Sequence, residues 1–224
     1  MYRELFDEKH RLVKGTPIVP GSRQDMQSGE YESDILCADC DNRIIGGYEA
    51  YASKVLYGGK VPVSTQHIKR AEDGLEITIV TGLDYVRFKL FLQSLLWRSS
   101  ISSKDFFSAV NLGPYEEKLR IALVTGDPGP SDSFPCIVNN YIRTGLPHGV
   151  IAAPRESRFI DGKRIYTYVI AGMIYIFHIT ERETFDWILE AAVNENGEMR
   201  IPHMSQGTTG ALFNKLLGAD IFET

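Results

Sequence analysis

Two cysteines three residues apart, Cys37 and Cys40, are the residues in this chain best placed to do chemistry. Thiolates at that spacing sit on one tight turn and supply half of a tetrahedral zinc site. Such a site needs two more ligands. The sequence holds no second Cys-x-x-Cys and no closely spaced histidine pair. The remaining ligand types, His10, His67, Cys136 and His148, are distant in sequence, with His10 and His67 as the candidates to complete the site. Zinc is therefore the cofactor the knuckle implies, bound within one chain or shared with a second copy. Without metal, the cysteines read as small buried residues. A thioredoxin-like redox role lacks the surrounding βαβ pattern.

Other groups are less specific. Arg155, Arg158, Lys163 and Arg164 cluster around Asp161-Gly162. With Tyr166 and Tyr168 they suggest a face for a nucleic-acid strand, although Glu156 and Asp161 dilute the charge. His67-Ile68-Lys69-Arg70 is a smaller basic patch. Glu49 and Arg98 are polar residues expected at the surface, where they would serve a pocket. Gly126-Asp127-Pro128-Gly129-Pro130 lacks the Gly-Lys-Ser/Thr ending of a phosphate loop and reads as a surface turn. Gly207-Thr208-Thr209-Gly210 reads as a helix start capped by a threonine. His178 alternates with Ile174 and Ile176 and is expected to be a hydrogen-bonded core histidine. His203 and Ser205 lie in a loop, and no Gly-x-Ser-x-Gly elbow supports a catalytic serine.

The elements that position these residues follow from periodicity. Met1 to Arg11 fits a short surface helix, and Thr16 to Ser22 an extended connection. Tyr48, Tyr51, Ala52, Val55 and Leu56 share one face of a helix that follows Gly46-Gly47 and ends at Gly58-Gly59. Leu75 to Thr81 alternates as a half-buried strand, with Leu75, Ile77 and Ile79 inward. Asp84 caps a long helix through Trp97 with Phe88, Phe91, Leu92, Leu95 and Leu96 in a broad apolar stripe. Ser102-x-x-Asp105 fits the start of a helix through Val110. Pro114 opens another, with Leu119, Ala122 and Leu123 buried. Phe134 to Ile142 is a strand. Val150–Ile160 and Lys163–Ile170 form a hairpin about Asp161-Gly162. Gly172-Met173 either turns the chain or bulges one long strand. Glu181 to Val193 and Ala211 to Leu217 are helices.

Gly29-Glu30-Tyr31-Glu32, Ile35-Leu36-Cys37-x-x-Cys40-Asp41-Asn42 and Gly47-Tyr48-Glu49-x-Tyr51-Ala52-x-Lys54-Val55-Leu56 resemble a group of bacterial proteins of uncharacterised function. Gly82-Leu83-Asp84-Tyr85, Leu96-Trp97-Arg98-x-Ser100-Ile101-Ser102 and Leu112-Gly113-Pro114-x-Glu116-Glu117 resemble them too, so the likeness covers residues 28–124. In that group a first Cys-x-x-Cys and a Ser-His-Ile-Ile-Pro-like element precede the second knuckle, and together they resemble the treble-clef zinc core of HNH-type proteins. Here no Cys-x-x-Cys precedes Cys37, and Gly15-Thr16-Pro17-Ile18-Val19-Pro20 stands at the histidine element without a histidine. The resemblance thus implies a treble-clef lineage lacking the group that would activate water.

The 224 residues suffice for a sizeable core, and a net charge of −5 gives no global attraction to nucleic acid or an anionic membrane. No signal-peptide pattern opens the chain, and the most apolar run, Ile165 to Ile179, is too short and polar to span a bilayer. Three cysteines make no disulfide framework, so a cytoplasmic location is expected. The elements do not alternate βαβα. The expected class is α+β: an antiparallel sheet with helices on one side, a knuckle segment at 1–60 and a core at 61–224. The leading functional expectation is a non-catalytic binding or regulatory protein of bacterial or phage-related origin. Its partner would be a protein or a small-molecule or nucleotide ligand, with nucleic acid and homo-oligomerisation open and no membrane. The alternative is a degenerate, metal-dependent HNH-related nuclease.

Overall fold

Eleven residues before the first described strand, and several later stretches, stand outside this description. The computed structural model describes residues 12–15, 23–26, 32, 35–58, 65–70, 74–144, 149–181 and 184–217. The expected helix over Met1 to Arg11, the connection from Thr16 to Ser22, His10 and His148 lie outside the described residues.

In chain order the first strands are β1 (Leu12–Gly15) and β2 (Arg23–Met26). A wide π-type turn over Asp39–Ile45 then runs without a break into helix α1 (Gly46–Tyr57). The helix therefore starts before the glycine pair rather than after it. Gly46 is helical (φ −58°) because the wide turn brings the Asp41 carbonyl against it. A Cβ there would lie 3.3 Å from that oxygen. Ala52, Val55 and Leu56 are buried on the expected face, and Gly58, at φ 91°, ends the helix.

Strand β3 (Thr65–Arg70) pairs antiparallel with β4 (Glu76–Thr81). Helix α2 (Tyr85–Ile101) follows, and the Asp84 carboxylate accepts the Arg87 N–H at 3.0 Å as the expected cap. Phe88, Leu90, Phe91, Leu92, Leu96 and Trp97 are buried on it, each worth about 1.5–3 kcal/mol of apolar transfer. That total outweighs the cost of burying Lys89, Gln93, Ser94 and Ser99 on the same helix. So α2 is enclosed nearly all round, and the single stripe expected from the sequence is only part of its contact surface.

After α2 the chain makes only a 3-10 turn at Asp105–Phe107, not the longer helix expected, and the Ser102 hydroxyl accepts the Lys104 N–H at 3.2 Å. Helix α3 (Tyr115–Thr125) starts after Pro114 and buries Leu119 and Leu123. Then come β5 (Cys136–Asn140), β6 (Val150–Arg158), β7 (Arg164–Ile170), β8 (Met173–His178), α4 (Asp186–Ala191), β9 (Met199–Pro202) and α5 (Gln206–Leu217). Ala171 and Gly172, at φ 51° and 83°, turn β7 into β8. The irregularity in this region falls instead on β6, between Ala152 and Arg155. Helix α4 is shorter than the expected 181–193 helix. Ser205 rather than a threonine caps α5, its hydroxyl accepting the Thr208 N–H at 3.1 Å.

Six strands form one sheet in the order β2-β1-β6-β7-β8-β5, and three form another, β3-β4-β9. Among the described strands all pairs are antiparallel except β1 with β6. The class is α+β, as expected. The register puts Tyr166, Tyr168 and Ile170 of β7 beside Phe177, Tyr175 and Met173 of β8, with Cys136 and Val138 of β5 alongside. This aromatic face meets α2, where the Phe91 and Tyr175 rings lie edge to face at 6.4 Å. Helices α1 and α3 both pack against α2. The two sheets meet where Asn140 bridges His203, and the Met204 N–H donates to the Asn140 carbonyl at 2.8 Å. No helix among the described residues is long and apolar enough to cross a membrane.

Candidate functional site

Cys37 precedes the first helical residue, and the turn that follows brings Cys40 back toward it. The Cys40 N–H donates to Cys37 Sγ at 3.4 Å. That bond, and then the Cys40 thiol, hold the Cys37 thiol below its ordinary range, while donating to Cys37 pushes the Cys40 thiol up. Arg43 clasps Asp39 through two bonds of 2.6 Å on the outside of the turn. Cys136 is far from this chemistry: it is buried on β5, and burial pushes its thiol well up. His67 stands exposed on β3. Among the described residues no group of three or more His, Cys, Asp or Glu side chains is arranged to hold a metal.

Glu49 and Arg98 are not a pair of free surface groups. They bind each other at 2.5 Å, with side chains 18% and 22% exposed, and so tie α1 to α2. Two further carboxylates meet the same end of α2. Glu116 accepts from Ser100 at 2.5 Å, and Glu32 accepts from Ser102 at 2.5 Å and from the Ser103 N–H. Every charge in this cluster is answered by a neighbour, which makes it a clamp between elements rather than an open pocket.

The basic hairpin is similarly engaged. Lys163 pairs with Asp161 at 3.2 Å, Arg164 lies 3.7 Å from Glu156 and donates to the Asn111 carbonyl, and Arg158 donates to the Gly162 carbonyl. Arg155 is exposed on the opposite side from Arg158, by the alternation of β6. Tyr166 and Tyr168 are 0% and 2% exposed, so they cannot stack on a base. The aromatic rings that do reach the surface here are Phe185 and Trp187, stacked at 6.5 Å. Phe159 links them to His178, whose ring it meets at 4.9 Å. His178 is 0% exposed, and neither ring nitrogen has a hydrogen-bond partner among the described residues, against the expectation of a bonded core histidine. Burial lowers its pKa to about 4.

The Pro-Gly-Pro loop is more than a surface turn. Proline has no N–H, so the stretch 128–130 presents carbonyls in excess of donors. Helix α2 supplies the donors from one stripe four residues apart: Tyr85 hydroxyl to Gly129 O at 2.6 Å, Lys89 Nζ to Pro130 O, and Gln93 Nε2 to Pro128 O at 2.8 Å. Lys89 also lies over the Tyr85 ring. Burial lowers its pKa to about 8, partly offset by Glu195 and Asp132.

The open chemistry lies on the three-stranded sheet. Strand β4 alternates as expected but the other way round. Thr78 and Val80 face inward at 9% and 0% exposure, while Ile77 and Ile79 are half-buried on the outer face. The inversion has a cause: Thr78 Oγ1 meets His203 Nε2 at 2.7 Å and Val80 joins the core, so the isoleucines turn outward. Register then aligns His67 and Lys69 of β3 and Arg200 and Pro202 of β9 with those isoleucines. Lys69, Arg70, Ile77, Ile79 and Arg200 line a hollow of about 290 Å³. Arg70 is held by Glu76 at 2.5 Å, and Arg200 reaches Glu190 of α4. Lys69 has no ion-pair or hydrogen-bond partner among the described residues. Every residue of β3 is exposed, and no described strand pairs with its outer edge. The sequence carried the basic patch at His67–Arg70, but β3 is exposed on both faces and lacks an apolar alternation, β9 is short, and the alternation of β4 does not say which face is buried. Comparison of the chain with protein-family models, with curated proteins and with solved structures gives no match.

Proposed function

We propose that the protein is a non-catalytic binding protein that takes an acidic, extended segment of a partner protein along β3, across the outer face of the three-stranded sheet. One observation carries this reading: an apolar floor of Ile77 and Ile79 ringed by Lys69, Arg70 and Arg200 beside an edge strand with no described neighbour. An added strand would satisfy the main-chain groups of the edge, and its alternate side chains would stand on the outer face beside His67 and Lys69, the β3 residues in register with the isoleucine floor. The basic rim selects acidic side chains for those positions. Lysines on an edge strand also discourage self-pairing, and that role needs no partner; a binding measurement separates the two.

The probe is a fluorescein-labelled peptide that alternates Glu and Val, titrated with the full chain and followed by anisotropy. The reading expects saturable binding that weakens with added salt, and loss of about tenfold or more in affinity in the Lys69→Glu, Arg200→Glu double variant. Binding unchanged by the double variant refutes the assignment. ATP binding in place of the peptide, lost in the same variant, would assign the hollow to a nucleotide and overturn the peptide reading.

A further inference from the structure

We propose that Cys37 and Cys40 form a redox-active dithiol that closes to an intramolecular disulfide when it meets a low-molecular-weight disulfide and reopens in excess thiol. The proposal is independent of the sheet face. Cys37 is exposed and Cys40 partly so; Cys37 stands just before a helical segment and Cys40 in its first turn, where the Asp41 N–H donates to the Cys37 carbonyl at 3.0 Å. The Cys40 N–H already points at Cys37 Sγ. That 3.4 Å contact puts the Cys37 sulfur over the turn that carries Cys40, and a disulfide needs Cβ atoms about 3.5–4.5 Å apart. A small tightening of this turn brings them to that separation. Outside the turn, its side-chain braces are exposed surface bonds, Arg43 to Asp39 and Asn42 to the Ala38 carbonyl. Such bonds yield cheaply.

Position sets the direction of reaction. Cys37 is exposed and its sulfur accepts the Cys40 N–H at 3.4 Å, a donor that favours a thiolate there, whereas Cys40 is only partly exposed. Cys37 is therefore the attacking sulfur and Cys40 the resolving one. With oxidised glutathione, Cys37 thiolate attacks one sulfur of the disulfide and expels glutathione thiolate. Cys40 thiolate then attacks Cys37 sulfur in the mixed disulfide and expels the second glutathione. The two thiol protons leave on the two glutathiones, so one dithiol is oxidised and one disulfide reduced. Cys136, buried and with its thiol pushed up, stays out of the exchange.

The test is intact-mass spectrometry of the reduced full chain after equilibration with reduced and oxidised glutathione, quenching in acid and alkylation of the remaining thiols. The expected product lacks two hydrogens and carries no glutathione. Cys40→Ser should accumulate one glutathione, and Cys37→Ser should acquire it about tenfold more slowly. A wild-type chain that keeps both thiols in excess oxidised glutathione, or ends with glutathione on each, overturns the proposal. So does zinc co-purifying in near-equal molar amount and lost in either variant, because the pair would then be metal ligands.

Discussion

Lys89→Met reverses an intuition about buried charge. In the native chain Lys89 is 3% exposed, donates to the Pro130 carbonyl and lies over the Tyr85 ring, with Glu195 and Asp132 the acidic groups facing it. Burial leads, and lowers its pKa from 10.5 to about 8. A base whose folded pKa lies below its unfolded value binds fewer protons when folded, so stability rises with pH between the two values. The full difference is about 3 kcal/mol, and about 2 kcal/mol of it is gained between about pH 7 and about pH 9.5. Above about pH 10 the sign changes, because half-buried Tyr85 and buried Tyr141, Tyr168 and Tyr175 resist ionisation while their unfolded counterparts ionise. The assay is urea unfolding across the lower window, with wild type and Lys89→Met compared at each pH. Both proteins carry the same cysteines and tyrosines, so their difference isolates Lys89. The wild type should gain about 2 kcal/mol relative to the variant over that window. At neutral pH the variant should lose about 1–2 kcal/mol from the missing hydrogen bond and ring contact yet gain about 3 kcal/mol from the missing charge, ending slightly more stable. A difference that stays flat with pH would refute the reasoning, and would mean that water reaches Lys89 in the folded chain.

Other substitutions read other parts of the structure. His178→Leu removes two buried nitrogens that have no partner among the described residues and should stabilise the chain by about 1 kcal/mol at neutral pH in thermal or urea unfolding. Because the folded pKa of His178 is about 4, below its ordinary 6.5, its contribution is present above pH 6.5 and is lost as pH falls toward 4; the variant should show a shallower acid limb. Arg98→Met leaves Glu49 half-buried and unpaired and should cost about 1–3 kcal/mol, whereas the double variant with Glu49→Gln should recover part of it, a coupling that a double-mutant cycle measures. Gly197→Ala should cost more than about 2 kcal/mol, since a Cβ at φ +73° would lie 2.3 Å from the Leu83 carbonyl oxygen.

The readable parts of the fold were those with strong local signals. Asp84 and the apolar residues after it determine α2, and Asp161-Gly162 with its flanking β-formers determines the hairpin. The wide turn before α1 was hidden because Gly46 and Gly47 look like a break, whereas both are helical and Gly46 lets the Asp41 carbonyl approach closely. Strand β3 is exposed on both faces, so Thr65-Gln66-His67-Ile68-Lys69-Arg70 shows no apolar alternation, and β9 is only four residues long. Burial of Lys89 and Gln93 depends on a loop more than thirty residues away whose prolines leave carbonyls unanswered. The site suffered most from one ambiguity: alternation in β4 defines two faces, and only the contacts of Thr78 and Val80 decide which is inside. Glu49 and Arg98 stood out by type and position, but each conceals the other's partner until α1 and α2 are packed together.

The central claim, a partner segment on the β3 edge, is met most directly by amide hydrogen exchange of the full chain with and without the alternating Glu–Val peptide. The account predicts slowed exchange concentrated in 65–70, with smaller effects in β4 and none at the Asp161-Gly162 hairpin. Protection at the hairpin or in 126–133 with β3 unchanged, or no protection anywhere at peptide concentrations that saturate the anisotropy signal, would contradict it.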